Sequence, residues 1–148
     1  MLIPDVNILL HAHRPDIPNS GGAREWLEAA AESGEGLGLS EPVWSGFLRI
    51  ATNPRVFEDP STMEQAAAFI EDLFAIPHCV PVMPGPRHRA IFMDLCHQAG
   101  VRGDRVPDAY LAALAIETGA VFITRDRGFG RYPGLRWRDP LSPPPSPT

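Results

Sequence analysis

The sequence contains no lysine, only two cysteines and no apolar run long enough to cross a bilayer. A membrane-spanning helix needs about 20 consecutive apolar residues, and a secretory signal begins with a basic segment that this N-terminus lacks. Cys79 and Cys96 do not have the spacing of a zinc site or a disulfide framework. We therefore expect a cytoplasmic protein that does not enter membranes and keeps its two thiols reduced.

The charge balance does not exclude nucleic acids as ligands. A net charge of −5 is unlike the basic surface of most nucleic-acid binders. All 13 cationic residues are arginine, however, and arginine binds phosphate in a bidentate manner. Carboxylates gathered around bound cations would also be neutralised, so formal charge overstates the repulsion of RNA.

Short apolar runs alternate with helical periodicities, a pattern typical of an α/β fold with a mainly parallel sheet. Strands are predicted at residues 1–6, with Pro4 near the end, and at residues 36–39, 79–83, 120–124 and 135–138, the last at an edge. Helices are predicted at residues 23–31, 41–52 with Ser40 as N-cap, 62–75, 87–99 and 106–118. The last helix is apolar almost all round, so it should be the most buried.

The chain divides into one domain and a tail. Residues 1–139 carry the alternating pattern and are predicted to form a single domain. Residues 140–148 are rich in proline and serine, which favours an extended, disordered segment.

Four acidic residues fall where strands end or helices begin. Asp5 closes the first strand, Glu41 opens the helix after the second, Asp126 follows the fourth, and Asp108 lies in the first turn of the buried helix. Each could be an ordinary capping or turn residue. Ligands of open α/β sheets, however, bind beyond the carboxyl ends of the strands, so the four side chains could also converge.

Converging carboxylates indicate a site for a hard divalent cation. Like charges repel one another unless a cation lies between them, and oxygen ligands suit Mg²⁺ or Mn²⁺. Such a site can activate water for hydrolysis of a phosphodiester bond. His11 and His13 are two residues apart and diverge on a helix, so they are not expected to be ligands.

The same segments resemble the PIN-domain family, specifically its VapC ribonuclease toxins of toxin–antitoxin modules. Residues 4–7 (Pro-Asp-Val-Asn) resemble the D-x-N of the family's first strand, and residues 40–43 its second acidic motif. Residues 106–115 are similar to its most recognisable helix, and residues 124–129 to its closing T-x-D-x-x-F. The motifs occur in order and cover the whole chain except the tail.

The resemblance implies a three-layer α/β/α sandwich and a magnesium-dependent endoribonuclease with Asp5, Glu41, Asp108 and Asp126 as catalytic and metal-binding residues. It also implies a structured RNA substrate such as tRNA or rRNA, a homodimer, and a small antitoxin that occupies the groove beside the active site.

Several further residues are candidates for supporting roles. Asn7 and Thr124 would orient carboxylates or water, and Asp104, where many relatives carry Asn, would either join the acids or only begin a helix. The candidates for RNA contact are Arg14, Arg125 and Arg127, and the alternative for each is an ordinary surface role. The candidates for the antitoxin groove or the dimer interface are Trp44 and Phe47, and the alternative for both is packing in the core.

Two other classes of protein share parts of this pattern. A haloacid-dehalogenase-like phosphatase would need a second Asp two residues after Asp5 and a downstream Lys, but the chain has Asn7 and no lysine. A receiver domain also needs a lysine. A PIN-like interaction module without catalysis would be expected to lack one of the acids, and none is missing.

Overall fold

A five-stranded parallel sheet forms the centre of the protein, which the computed structural model describes for residues 1–142. The strand order is β3-β2-β1-β4-β5. In register, Ile3 pairs with Phe122, and Leu37 pairs with both Leu2 and Cys79. The strands are β1 (Leu2–Pro4), β2 (Leu37–Ser40), β3 (Cys79–Val82), β4 (Val121–Ile123) and β5 (Trp137–Arg138).

Six helices cover the sheet. They are α1 (Val6–His13), α2 (Ala23–Glu32), α3 (Glu41–Ala51), α4 (Met63–Phe74), α5 (His88–Gln98) and α6 (Val106–Thr118), with 3-10 segments at Gly103–Arg105 and Arg127–Arg131. The crossovers β1 to β2 and β2 to β3 run towards one edge of the sheet, and the crossover β3 to β4 runs back. Because such crossovers are right-handed, α1–α4 lie on one face and α5–α6 on the other. The predicted three-layer α/β/α fold is confirmed.

The first strand is shorter than predicted. It was expected to reach Val6, but it ends at Pro4, and helix α1 begins at Val6. The carboxylate of Asp5 accepts a hydrogen bond from the Val6 backbone N–H at 2.7 Å, which starts the helix immediately after the strand. Pro4 lies at the strand end, as expected for a residue without an N–H to donate.

Ser40 shows that a residue can occupy an N-cap position without capping. It lies directly before α3 as predicted, but its hydroxyl accepts no hydrogen bond from the helix. The side chain is fully buried, and Ser40 Oγ has no hydrogen-bond partner in the described part of the chain. Helix α4, in contrast, begins with a complete capping box formed by Thr62 and Gln65.

Helix α6 is the most buried helix, as its apolar composition predicted. Six of its residues are buried: Ala109, Leu111, Ala112, Ala113, Leu114 and Ala115. Gly119 ends it in the left-handed conformation, with φ +67°, which glycine adopts without strain. This core holds the N-terminus of α6, and with it Asp108, at a fixed place beside the sheet.

The packed part of the chain continues to the end of the described residues. Leu141 is half-buried against the core, and Asp139 accepts hydrogen bonds from the Leu141 N–H and the Ser142 hydroxyl. Most of the predicted disordered tail, residues 143–148, lies outside the described residues, so the division at residue 139 stays a prediction. None of the helices within residues 1–142 has the length and apolar character needed to cross a membrane.

Candidate active site

The acidic residues gather where the strand order reverses. Strand β1 lies in the middle of the sheet, with β2 on one side and β4 on the other. Asp5 directly follows β1, and its backbone N–H donates to the Ile123 carbonyl at the end of β4 at 2.8 Å. Asp126 follows β4 by three residues. This is the switch point at which open α/β sheets bind their ligands.

A buried hydrogen-bond network holds Asp5. The side chain is 5% exposed, and Asp5 Oδ2 accepts from Thr124 Oγ1 at 2.7 Å and from Asn7 Nδ2 at 3.2 Å. Thr124 Oγ1 also accepts from the Asp126 backbone N–H at 3.0 Å. Thr124, which is fully buried, therefore links the two acids that follow β1 and β4.

Asp5 and Asp108 are both harder to ionise than ordinary aspartates. Burial raises the pKa of Asp5 from 3.8 to about 6; hydrogen bonds from Thr124 and Val6 oppose the rise, and the charges of Asp108 and Asp126 add to it. The pKa of Asp108 is also raised, by burial first and then by the charge of Asp126. The three carboxylates therefore lie close enough to repel one another.

A cavity of about 500 Å³ opens beside two of these acids. Asp5 and Asp108 contribute carboxylates to a lining that is otherwise mainly apolar and includes Val43, Phe92 and Tyr110. Arg49 adds a positive charge from α3. A mainly apolar cleft with a few converging charged groups is the usual form of a binding site.

The structure does not bring Glu41 or Asp104 into this cavity. Glu41 is exposed at the start of α3 and lines a neighbouring cavity of about 340 Å³, which shares only Pro42 and Tyr110 with the first. Asp104 is exposed in the 3-10 segment before α6. Asp5 and Asp108 share the first cavity, and Asp126 lies near enough for its charge to raise the pKa of both, whereas Glu41 lies on the neighbouring cavity.

The donor set fits a divalent cation bound largely through water. Within residues 1–142, no three His, Cys, Asp or Glu side chains are arranged to hold an ion between them. Mg²⁺ does not need such a cage, since it is commonly bound by one or two carboxylates and keeps several water ligands. A cation near Asp5 and Asp108 would also relieve the repulsion among the carboxylates.

Two of the three predicted RNA-contacting arginines have other partners. Arg14 lies about 13 Å from Asp5 along α1. Its guanidinium pairs with Asp16 at 2.7 Å and stacks on Phe57 at 4.1 Å. Arg125 donates to the Asn19 carbonyl and contacts His11 Nδ1 at 3.3 Å. Their side chains therefore stabilise the α1–α2 connection.

The third arginine has no side-chain partner within residues 1–142, and two further arginines near the acids were not predicted from the sequence. Arg127 is exposed beside Asp126. Arg105 and Arg131 lower the pKa of Asp108 through their charges, although burial and Asp126 outweigh them. The only sequence signal for Arg105 and Arg131 is their nearness in the chain to Asp108 and Asp126.

Of the two aromatic candidates on α3, Phe47 is a packing residue. Phe47 is fully buried, with its ring 5.3 Å from that of His13 and 5.0 Å from that of Phe69, so the proposed interface role of Phe47 is wrong. Trp44 is partly buried against the core. His13 also shares a hydrogen bond with Ser61 at 2.9 Å.

The chain belongs to the PIN domain family, whose sequence profile matches residues 2–135. It is 41% identical over 136 residues to ribonuclease VapC25 of Mycobacterium tuberculosis, covering 92% of this chain and 96% of that protein. It is 42% identical over 142 residues to ribonuclease VapC31 of the same species, covering 95% and 100%. PIN-domain ribonucleases generally depend on a divalent metal ion.

Solved structures support the fold independently. A structure of VapBC2 from Rickettsia felis bound to a promoter DNA fragment matches with a TM-score of 0.67 and 17% identity, covering 93% of this chain and 96% of that one. FitAcB from Neisseria gonorrhoeae matches with a TM-score of 0.65 and 21% identity, covering 95% and 98%. At these identities the likeness concerns the fold alone.

The raised pKa of Asp5 predicts how stability depends on pH in the absence of metal. Protonated Asp5 contributes stability that is fully present below its unfolded pKa of 3.8 and is lost as pH rises through about 6. The loss amounts to about 3 kcal/mol between about pH 4 and pH 7. Urea unfolding in EDTA should show this fall in the wild type and a shallower one in Asp5→Asn.

Asp59→Asn is the matched control, because Asp59 is exposed in the loop after α3. Its pH dependence should equal that of the wild type. Equal slopes for Asp5→Asn and the wild type would show that the Asp5 carboxylate is not destabilised by its surroundings.

Proposed function

We propose that this protein is a metal-dependent endoribonuclease that hydrolyses RNA phosphodiester bonds. The proposal rests on the family and the site together. Relatives that are 41–42% identical over almost the whole chain are named ribonucleases. In this chain, Asp5 and Asp108 line a cavity at the switch point of the sheet. A phosphodiester has no need of a covalent nucleophile if water can be activated beside it.

The protein's own residues position charge in this reaction. Thr124 Oγ1 and Asn7 Nδ2 hold Asp5 Oδ2, and the Val6 N–H holds Asp5 Oδ1, so that carboxylate cannot rotate. Asp126 Oδ1 accepts from the Gly128 N–H at 2.8 Å, which leaves Oδ2 without a donor within the described residues.

Asp5, Asp108 and Asp126 would hold the metal ion largely through its water ligands, and Mg²⁺ is the proposed physiological ion with Mn²⁺ as a substitute. When bound, such an ion lowers the pKa of water and neutralises charge that develops on the phosphate. The support in this chain is the concentration of oxygen donors and the absence of a softer donor: neither cysteine lines the cavity.

Glu41 stays in the proposal as a fourth acid on the strength of the sequence motif. Its cavity adjoins that of Asp5 and Asp108 through Pro42 and Tyr110, so a change in the Tyr110 side chain would join the two spaces. Asp104, in contrast, lies on the exposed surface and is proposed only to begin the turn before α6.

The biological role we propose is that of a toxin controlled by a small antitoxin protein. Relatives carry VapC names, and several neighbours in fold were solved as VapBC or FitAB assemblies. The cavity beside Asp5 suits the C-terminal segment of such a partner. We further propose a cytoplasmic homodimer acting on structured RNA such as tRNA or rRNA; the two cysteines are free thiols, as in a reducing compartment.

A catalytically silent binding module is the second candidate. The observation that favours it is the separation of Glu41 from the other acids, together with the lack of a ready three-ligand metal site within residues 1–142. Cleavage assays separate the two candidates directly.

Purified protein should cleave RNA in the presence of Mg²⁺ or Mn²⁺ and stop when EDTA is added. Asp108→Asn should lower kcat by about a thousandfold, a loss typical of removing a group that acts in the transition state. The matched control is Asp59→Asn, which removes an exposed carboxylate in the loop after α3. This variant should keep the wild-type kcat. Cleavage by Asp108→Asn at the wild-type rate would refute the site.

Induced expression should arrest bacterial growth if the protein is a toxin. Co-expression of the small protein encoded next to it should restore growth, and Asp108→Asn should not arrest growth at equal expression. Colony counts after induction measure all three. Unimpaired growth with abundant active nuclease would contradict the toxin role and leave the nuclease activity standing.

A further inference from the structure

We propose that Arg105 and Arg131 together bind an RNA phosphate adjacent to the scissile one, an inference that rests on the proposed ribonuclease function. We call these two side chains the phosphate clamp. They belong to different segments of the chain: Arg105 directly precedes α6, and Arg131 ends the 3-10 segment that follows Asp126.

Both guanidinium groups reach the same point above Gly128. A Cβ atom placed on Gly128 would lie 2.9 Å from Arg105 Nη1 and 3.0 Å from Arg131 Nη2. The glycine therefore leaves the space into which both side chains extend. Asp126 Oδ1 lies 2.9 Å from the same point, so the two cations flank a carboxylate, and within residues 1–142 neither arginine forms an ion pair with it.

The backbone under the clamp is fixed. Tyr132 is 3% exposed, and its hydroxyl donates to the Arg105 carbonyl at 3.3 Å. Arg131 Nε donates to the Gly128 carbonyl at 2.7 Å. Tyr132 thus ties the start of α6 to the 3-10 segment, and the backbone segments that carry the two arginines keep their relative position.

Both guanidinium groups have donors to spare. The ion pairs within residues 1–142 are Arg14–Asp16 and Arg24–Glu28, so neither clamp arginine is paired there. Both residues are exposed. Arg131 uses Nε for Gly128 and keeps its Nη donors, while the Arg105 guanidinium donates to no group in the described chain.

The acids beside the clamp explain why RNA binding by this protein would need two arginines at this place. The charges of Asp108 and Asp126 oppose the approach of a phosphate backbone, and no lysine is available anywhere in the chain. The Arg105 and Arg131 charges act on Asp108, which places them at the border of the acidic cluster. Guanidinium groups match phosphate oxygens in a bidentate manner, so the clamp can hold the backbone while the acids face the reacting phosphate.

Equilibrium binding of RNA in EDTA tests the clamp without any cleavage. The probe is a fluorescein-labelled single-stranded RNA of mixed sequence, measured by anisotropy at low salt, where the sequence-independent phosphate contribution dominates. The double variant Arg105→Ala/Arg131→Ala should raise Kd about tenfold or more. The slope of log K against log salt should become shallower by about 0.7 for each phosphate that the variant no longer neutralises.

Two further variants separate binding from charge balance. Arg55→Ala removes an exposed arginine in the loop after α3 and should leave Kd unchanged. Arg105→Lys/Arg131→Lys keeps both charges but loses the bidentate geometry, so it should recover Kd only in part. In cleavage assays the alanine double variant should raise KM far more than it lowers kcat.

An unchanged Kd and salt slope in the alanine double variant would overturn the clamp, and so would full recovery by lysine. Either result would mean that the two arginines only balance the charge of the acids. If the wild type cleaves RNA while the variant binds normally, the clamp fails and the function stands. If the wild type binds RNA through the clamp but never cleaves it, the function fails and the clamp stands.

Discussion

The hydrogen bond between Thr124 and Asp5 is the interaction on which the site depends. It joins residues 119 positions apart, and it exists because β1 and β4 are neighbours at the point where the strand order reverses. The bond is buried, so it holds a carboxylate in a place that water would otherwise solvate. Burial makes this carboxylate costly to ionise and raises its pKa to about 6, and the hydrogen bond from Thr124 offsets only part of that cost. The same property makes the place attractive to a cation.

Negative and positive side chains occupy separate parts of the candidate active site. Asp5, Asp108 and Asp126 concentrate negative charge at the switch point, while Arg105 and Arg131 bring positive charge to its border. This division reconciles a net charge of −5 with an RNA substrate, because a local pattern rather than the total charge governs binding. Arg14 and Arg125 do not contribute to the pattern, since their guanidinium groups are engaged near Asp16 and Asn19.

The convergence of Asp5, Asp108 and Asp126 could be predicted from the sequence because it follows from topology. Two of them follow neighbouring parallel strands, and the third opens a buried helix. Side-chain direction could not be predicted in the same way. Glu41 follows the strand β2, yet it lies on a separate cavity at the start of α3. Helix α1 likewise carries Arg14 about 13 Å away from Asp5.

Residues presented by irregular segments were the hardest to foresee. Arg105 and Arg131 lie in or beside 3-10 segments, which have no hydrophobic period, and they meet over Gly128 through tertiary packing. The end of β1 was misplaced for a related reason. Val6 continues the apolar run of the strand, but the hydrogen bond from its N–H to Asp5 starts a helix there. Local side-chain bonds of this kind override the periodic pattern.

A crystal structure determined with Mn²⁺ at neutral pH, with the ion located by its anomalous scattering, tests the central claim most directly. The account predicts an ion at the carboxyl end of β1, with oxygen atoms of Asp5 and Asp108 among its ligands or bonded to its water. Saturating Mn²⁺ that leaves these two carboxylates without an ion, or that binds only elsewhere on the protein, would contradict it.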